Sequence, residues 1–351
     1  MSALPLLTAD LPGTGGSLKD AAEDFVVDEI AAYEPSGAGD HLWLRVEKRD
    51  VDASELIDRV ARALGVRHTE IGAAGRKDRR AVTRQWLSAP WRAARALPGA
   101  AEIQAGTGLG VTVLAVTRHE NKLRTGHLRG NRFEVRVRAP AGGAAVALEV
   151  ARAKLARLDA AGVPNFYGEQ RFGGGAEQLA FGRAVLRGEQ RPPRDKRRAR
   201  FLLSAVQGDL FNRYVAGRMA RGLFARALAG DVLKKEDTGG MFVCADPAAD
   251  QPRLDTLAVH PTGPMYGEEM WRAEAEAGAL EAELLAAEGI TEEDLARVRR
   301  LAAGTRRPIR VVPRDVDARA DAGDLLVSFF LPKGSYATIL LREMMEPAPQ
   351  G

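Results

Sequence analysis

The chain has 351 residues, 45% hydrophobic and 28% charged, the balance of a globular protein long enough for two domains and a sizeable core. A net charge of +4 from 51 basic and 47 acidic residues excludes a bulk polycation, and a single cysteine, Cys244, excludes an internal disulfide or a cysteine-based zinc site. The histidines lack the i, i+4 spacing of metal ligands, the amino terminus has no basic-then-apolar leader, and no apolar run approaches the ~20 residues of a membrane helix. The expectation is a metal-free, cytoplasmic protein.

Leu42, Trp43, Leu44 and Val46 read as a strand with Arg45 and Glu47 on its wet side. A helix follows from about Ala53, with Asp52 and Glu55 at capping-box spacing, an apolar stripe through Leu56, Ile57, Val60 and Leu64, and Gly65 as its stop. Gln85–Leu87 and Val111–Val116 read as further strands. Gly106-Thr107-Gly108-Leu109-Gly110 lacks the spacing of a dinucleotide fingerprint and reads as a turn before the second of them. Phe133–Arg138 alternates strictly, so its apolar face lines a core or cleft while Arg136 and Arg138 face away.

After a break at residues 139–143 comes an Ala-rich helix to about Ala160. The middle third is Gly-rich at 173–175, Pro/Arg-rich at 191–200 and helical from Leu202 to about Met219. Another helix runs from Thr291, capped with Asp294, to Gly304. Strand character returns at Leu325–Phe330, followed by a turn and a helix from Ser335. This change of texture predicts one domain built from both ends of the chain, interrupted by a helical insertion.

Two basic clusters stand out. Arg76, Lys77, Arg79, Arg80 and Arg84 crowd around one carboxylate, Asp78. Neighbouring positive charge favours the ionised form of a carboxylate, and the same cations attract a polyanion. Taken alone the segment also reads as a solvated basic turn. The second cluster is Arg191, Arg194, Lys196, Arg197, Arg198 and Arg200, set against an acidic stretch from Glu268 to Asp294. It reads equally as a clamp for RNA backbone or as a solvated loop.

Gly75-x-Lys77-Asp78-x-x-Ala81-x-Thr83-x-Gln85 resembles the signature of the tRNA pseudouridine synthase D (TruD) family, in which the motif aspartate is catalytic. Five further blocks resemble the same family. They are Lys19 with Glu23–Glu29; Gly126–Phe133, with its Gly-Asn-x-Phe; Gly162–Gly173; Ser204-Ala205 to Asn212 with Pro261–Gly267; and Phe329–Thr338 with Arg342-Glu343. The departures are small: Ala22 stands where proline is common, Phe166-Tyr167 inverts a Tyr-Phe pair, and Glu177-Gln178 replaces an asparagine.

The resemblance implies an α+β fold with a mixed, largely antiparallel sheet. It implies a catalytic domain at 1–156 and 305–351 and a helix-rich inserted domain at 157–304. It further implies isomerisation of a tRNA uridine, position 13 of the D-arm, to pseudouridine without a cofactor. No obligate protein partner is evident in the sequence, and a monomer is expected. The same chemistry on another small RNA, or a tRNA-folding helper that binds without needing catalysis, are the alternatives.

Asp78 is then the catalytic residue. Adjacent side chains in extended backbone point to opposite faces, so Lys19 rather than Lys77 is expected to orient Asp78. Lys77 is left to face phosphate or Glu29. Phe133 and Phe329 are candidates to stack on an extruded uracil, and Asn131 shares the strand face of Phe133 and is placed to bond the base or Asp78.

Overall fold

The computed structural model describes residues 4–92, 96–173 and 175–346. It divides into two units: Gly13–Arg152 with Pro313–Gly334, and Ala153–Val312 with the described residues of Met1–Pro12 and Ser335–Gly351. The larger sheet is assembled from an early and a late segment of the chain. Both chain ends, however, group with the middle of the chain, where the expected boundaries at 156/157 and 304/305 had assigned them to the sheet.

In chain order the sheet unit supplies β1 (Phe25–Ala31), β2 (His41–Arg49), α1 (Ala53–Leu64), β3 (Gly72–Ala73), β4 (Val82–Pro90), α2 (Ala100–Thr107), β5 (Val111–His119) and β6 (Leu128–Val137). The chain continues through α3 (Gly143–Ala161), β7 (Val163–Pro164), α4 (Gly175–Leu186), α5 (Lys196–Ala220), β8 (Val232–Lys235), β9 (Met241–Val243), α6 (Pro247–Asp255), β10 (Val259–Met265), α7 (Ala275–Ala287), α8 (Glu292–Arg297), β11 (Thr305–Pro308) and β12 (Arg310–Val311). It returns to the sheet as β13 (Arg314–Asp321) and β14 (Asp324–Pro332), and α9 (Ala337–Met345) follows.

The sheet order is β13-β14-β6-β1-β4-β2-β5, with β3 added on β4. Only the β1–β4 pair among these is parallel. One face packs α1 through Leu56, Val60 and Leu64 against Leu42, Leu44, Val46 and Leu87. Helix α1 begins where Asp52 accepts a hydrogen bond from the Ser54 N–H, and ends at Gly65 in the left-handed conformation, φ 67°. The other face carries Trp43 and Trp86, with ring centroids 5.8 Å apart.

Three expectations need correction. Gly106 and Thr107 close helix α2 instead of forming a turn, because a Cβ on Gly106 would lie 2.8 Å from the Ala63 Cβ: the glycine lets α2 pack tightly on α1. Helix α5 starts at Lys196, capped by Asp195, six residues before the apolar stripe begins. The helix expected from Thr291 to Gly304 keeps its capping box but ends at Arg297. The insertion also contains a four-stranded antiparallel sheet, β11-β10-β8-β9. Its central strand reads Val-His-Pro-Thr-Gly-Pro-Met, and two prolines and a glycine hide the strand pattern.

Candidate active site

Cross-strand partners in a sheet share a face. Five neighbouring strands therefore place Phe329 (β14), Phe133 (β6), Val27 (β1), Thr83 (β4) and Lys48 (β2) in one row. The next row carries Leu331, Asn131 and Glu29. Gly130, which opens this run on β6, has a strict reason: a Cβ there would lie 2.1 Å from the Leu331 carbonyl oxygen and strike the Phe330 ring.

Asp78 lies in the loop between β3 and β4. Its Oδ2 is 2.5 Å from Lys19 Nζ, and both side chains keep some solvent exposure. Lys19 has φ +61°, a left-handed conformation that costs a non-glycine residue roughly 1–3 kcal/mol. Its ammonium also lies 4.1 Å from the centroid of Phe25. Phe25 meets Phe133 edge-on at 6.0 Å, and Phe133 stacks on Phe329 at 5.2 Å and 25°. An ion pair at the carboxylate is thus continuous with an aromatic array crossing three strands.

Lys77 turns the other way. Its Nζ is 2.6 Å from Glu29 Oε2, both groups are buried, and Glu29 Oε1 accepts from the Trp86 N–H at 3.1 Å. Of the two partners expected for Lys77, phosphate or Glu29, it meets Glu29; the two charges match each other and tie the Asp78 loop to β1. Phe329 is wholly covered and Phe133 nearly so. The Oδ1 of Asn131 is buried with no hydrogen-bond partner among the described residues, as are Thr83 Oγ1 and Gln85 Oε1 on the same sheet face. Buried polar atoms are usually bonded, so three unsatisfied ones on a single sheet face are unusual.

Two residues escaped the sequence reading. Phe25 sits inside the quoted Glu-Asp-Phe block and needed only its strand phase to be noticed. Lys48 is fully buried, and its Nζ donates to the Asp78 carbonyl oxygen at 2.5 Å. Burial pushes this ammonium down to about 8, against the opposing pull of Asp78, Asp52 and Asp50 and with a further push from Lys77. The signal was present: alternation puts Lys48 on the face of Leu42, Leu44 and Val46, a charge where the pattern demands an apolar residue.

The remaining basic residues of the loop point outward. Arg79 pairs with exposed Asp50 at 3.4 Å and Arg84 with Glu47 at 2.8 Å. Arg76 and Arg80 are exposed and make no ion pair among the described residues. Among the described residues, no group of three or more His, Cys, Asp or Glu side chains is placed to hold a metal ion, and no helix is long and apolar enough to cross a membrane.

The comparisons with known proteins agree with one another. The model of the family described as tRNA pseudouridine synthase D (TruD) matches residues 3–192 and 195–344. The sequence is 50% identical over 351 residues to tRNA pseudouridine synthase D of Anaeromyxobacter dehalogenans (strain 2CP-C), covering 98% of this chain and 97% of that protein. It is 45% identical over 358 residues to the protein of the same name from Thermus thermophilus, covering 99% and 96%. A crystal structure of a TruD candidate from Methanosarcina mazei has the same fold, with a TM-score of 0.77 at 24% identity over 97% of this chain and 96% of that one.

Proposed function

The chain belongs to the tRNA pseudouridine synthase D (TruD) family, and on that premise we propose that it isomerises a uridine of tRNA, position 13 in the D-arm, to pseudouridine with Asp78 as the catalytic carboxylate. The observation that carries the reading is the Asp78 carboxylate held 2.5 Å from Lys19 at the head of the Phe25–Phe133–Phe329 array.

The reaction breaks the C1′–N1 bond, rotates the base, joins C1′ to C5, releases the C5 proton and leaves a proton on N1. A carboxylate serves it either by attacking C1′ or by removing the C2′ proton. Both routes use the same ionised oxygen, and a cation at hydrogen-bond distance orients it. The base must leave its stack to reach that oxygen, and because the rings of Phe25, Phe133 and Phe329 are covered, the array meets it as an apolar wall only once neighbouring side chains move aside. The unpartnered Asn131 Oδ1 suits the uracil N3–H, a donor that cytosine lacks at the same position. Lys48 and the Glu29–Lys77 pair hold the loop from two sides, so Asp78 approaches the base in one geometry.

The test is tritium release from tRNA labelled at uridine C5. Wild-type protein should release tritium and Asp78→Asn should not, although it still binds tRNA. A tRNA in which residue 13 is cytidine should abolish release. Release that persists from that tRNA would move the target position, and release by Asp78→Asn would remove the carboxylate from the chemistry.

A further inference from the structure

Helix α5 is electrostatically divided. Toward its carboxyl end every arginine is paired within its own unit: Arg213 with Asp209 and Glu288, Arg218 with buried Asp231, and Arg221 with Glu283. Toward its amino end the pattern reverses. Arg191, Arg194, Lys196, Arg197, Arg198 and Arg200 are all exposed, and none makes an ion pair or side-chain hydrogen bond among the described residues. The one acid among them, Asp195, accepts from the Arg197 N–H as the helix cap.

This placement works against the helix. The amino end of a helix carries partial positive charge, so acidic residues belong there and basic ones destabilise it. Helix α8 of the same unit obeys that rule with Glu292, Glu293 and Asp294 in its first turn, whereas α5 has no acid in its first turn. Position 198 falls three residues after the Asp195 cap, where a glutamate would complete a capping box. Folding alone gives no account of six unpaired cations at that end. Phe201 follows them, 43% exposed. It lies one helical turn from both Arg197 and Arg198, while Ala199, Leu202 and Leu203 point into the core.

We propose that residues 191–201 form a docking surface for the sugar–phosphate backbone of the RNA substrate, its cations neutralising successive phosphates and Phe201 offering a face to an unstacked base. The proposal rests on the RNA-directed reading above and adds to it a binding surface outside the catalytic sheet. Phe201, exposed one turn from two of the arginines, favours RNA over an acidic protein partner, because an unstacked base has a face to lay on the ring and a carboxylate has none.

The experiment measures binding of an unmodified tRNA transcript to the full-length protein across a salt series. The variants are Arg197→Gln/Arg198→Gln/Arg200→Gln, the same triple to lysine, and Arg198→Glu alone. The glutamine triple should raise Kd and KM at least about tenfold and flatten the slope of log Kd against log salt by about one for each phosphate left unneutralised. Saturating tRNA should restore turnover, and the lysine triple should behave nearly as wild type. Arg198→Glu should weaken binding while raising Tm by about 1–2 °C, because it repairs the helix end. A merely structural patch would move Tm and affinity together. Unchanged Kd and slope in the glutamine triple, or wild-type protein that does not bind tRNA, would overturn the proposal. Salt-dependent tRNA binding that the triple abolishes, with no tritium release by wild type, would uphold the surface and sink the catalytic reading instead.

Discussion

Residues 76–84 and 191–200 look alike in composition, each a run of arginine and lysine around one aspartate, yet the structure puts them to opposite uses. In the first, Lys77 is drawn inward onto buried Glu29, and Lys19 and Lys48 arrive from elsewhere to grip Asp78 by its carboxylate and its backbone. In the second, the aspartate caps a helix and the cations have no partner among the described residues. Charge density therefore does not separate a built site from a recruiting surface. What separates them is where each cation finds its counter-charge.

The comparison breaks most visibly at Asp78. Asp78→Asn should lower tritium release by at least about 10³-fold, the scale of losing a nucleophile or general base. Next comes the buried anchor: Lys77→Met leaves Glu29 charged and unpaired, so urea denaturation should report a loss of about 3–5 kcal/mol. A loss below about 1 kcal/mol would class Lys77 with the outward arginines.

Lys48→Met tests whether a buried cation acts through the Asp78 backbone. Turnover should fall roughly 10- to 100-fold with little change in tRNA KM, since the carboxylate would be displaced and not removed. The variant also carries a stability signature. Lys48 titrates near 8 when folded and at 10.5 when unfolded, so over that window the unfolded state binds more protons and wild-type stability rises with pH. In Lys48→Met that rise should vanish. Smallest of all, Asp52→Ala removes an ordinary helix cap at about 1 kcal/mol and should leave tritium release at wild-type levels.

Much of this was legible in the chain. Asp52, Gly65 and the stripe between them spell out α1, and the alternation after Asn131 spells out β6, because each signal is local. Asp78 and Lys19 were singled out through resemblance; local charge alone left a solvated turn open. The misses share a cause in tertiary context. Gly106 reads as a breaker until Ala63 is seen pressing on it. The first turn of α5 is written in arginine and lysine, good helix formers that carry no periodic signal. The Glu29–Lys77 pair, by contrast, was one of the two alternatives the sequence left open for Lys77, and the two groups meet at 2.6 Å.

The row from Phe329 to Lys48 also has a consequence in time. Strands β1, β2, β4, β5 and β6 leave the ribosome first, but β13 and β14 follow only after about 175 residues of intervening chain, a delay on the order of 10–40 s at ordinary translation speeds. Throughout that interval β6 is a bare edge, and an unpaired strand invites pairing with a neighbouring nascent chain. Arg129, Arg132 and Glu134, all exposed on β6, supply the charge that discourages such pairing. Until the late hairpin docks, Phe133 has no ring of β14 to stack on, so the aromatic wall is among the last parts of the sheet to mature.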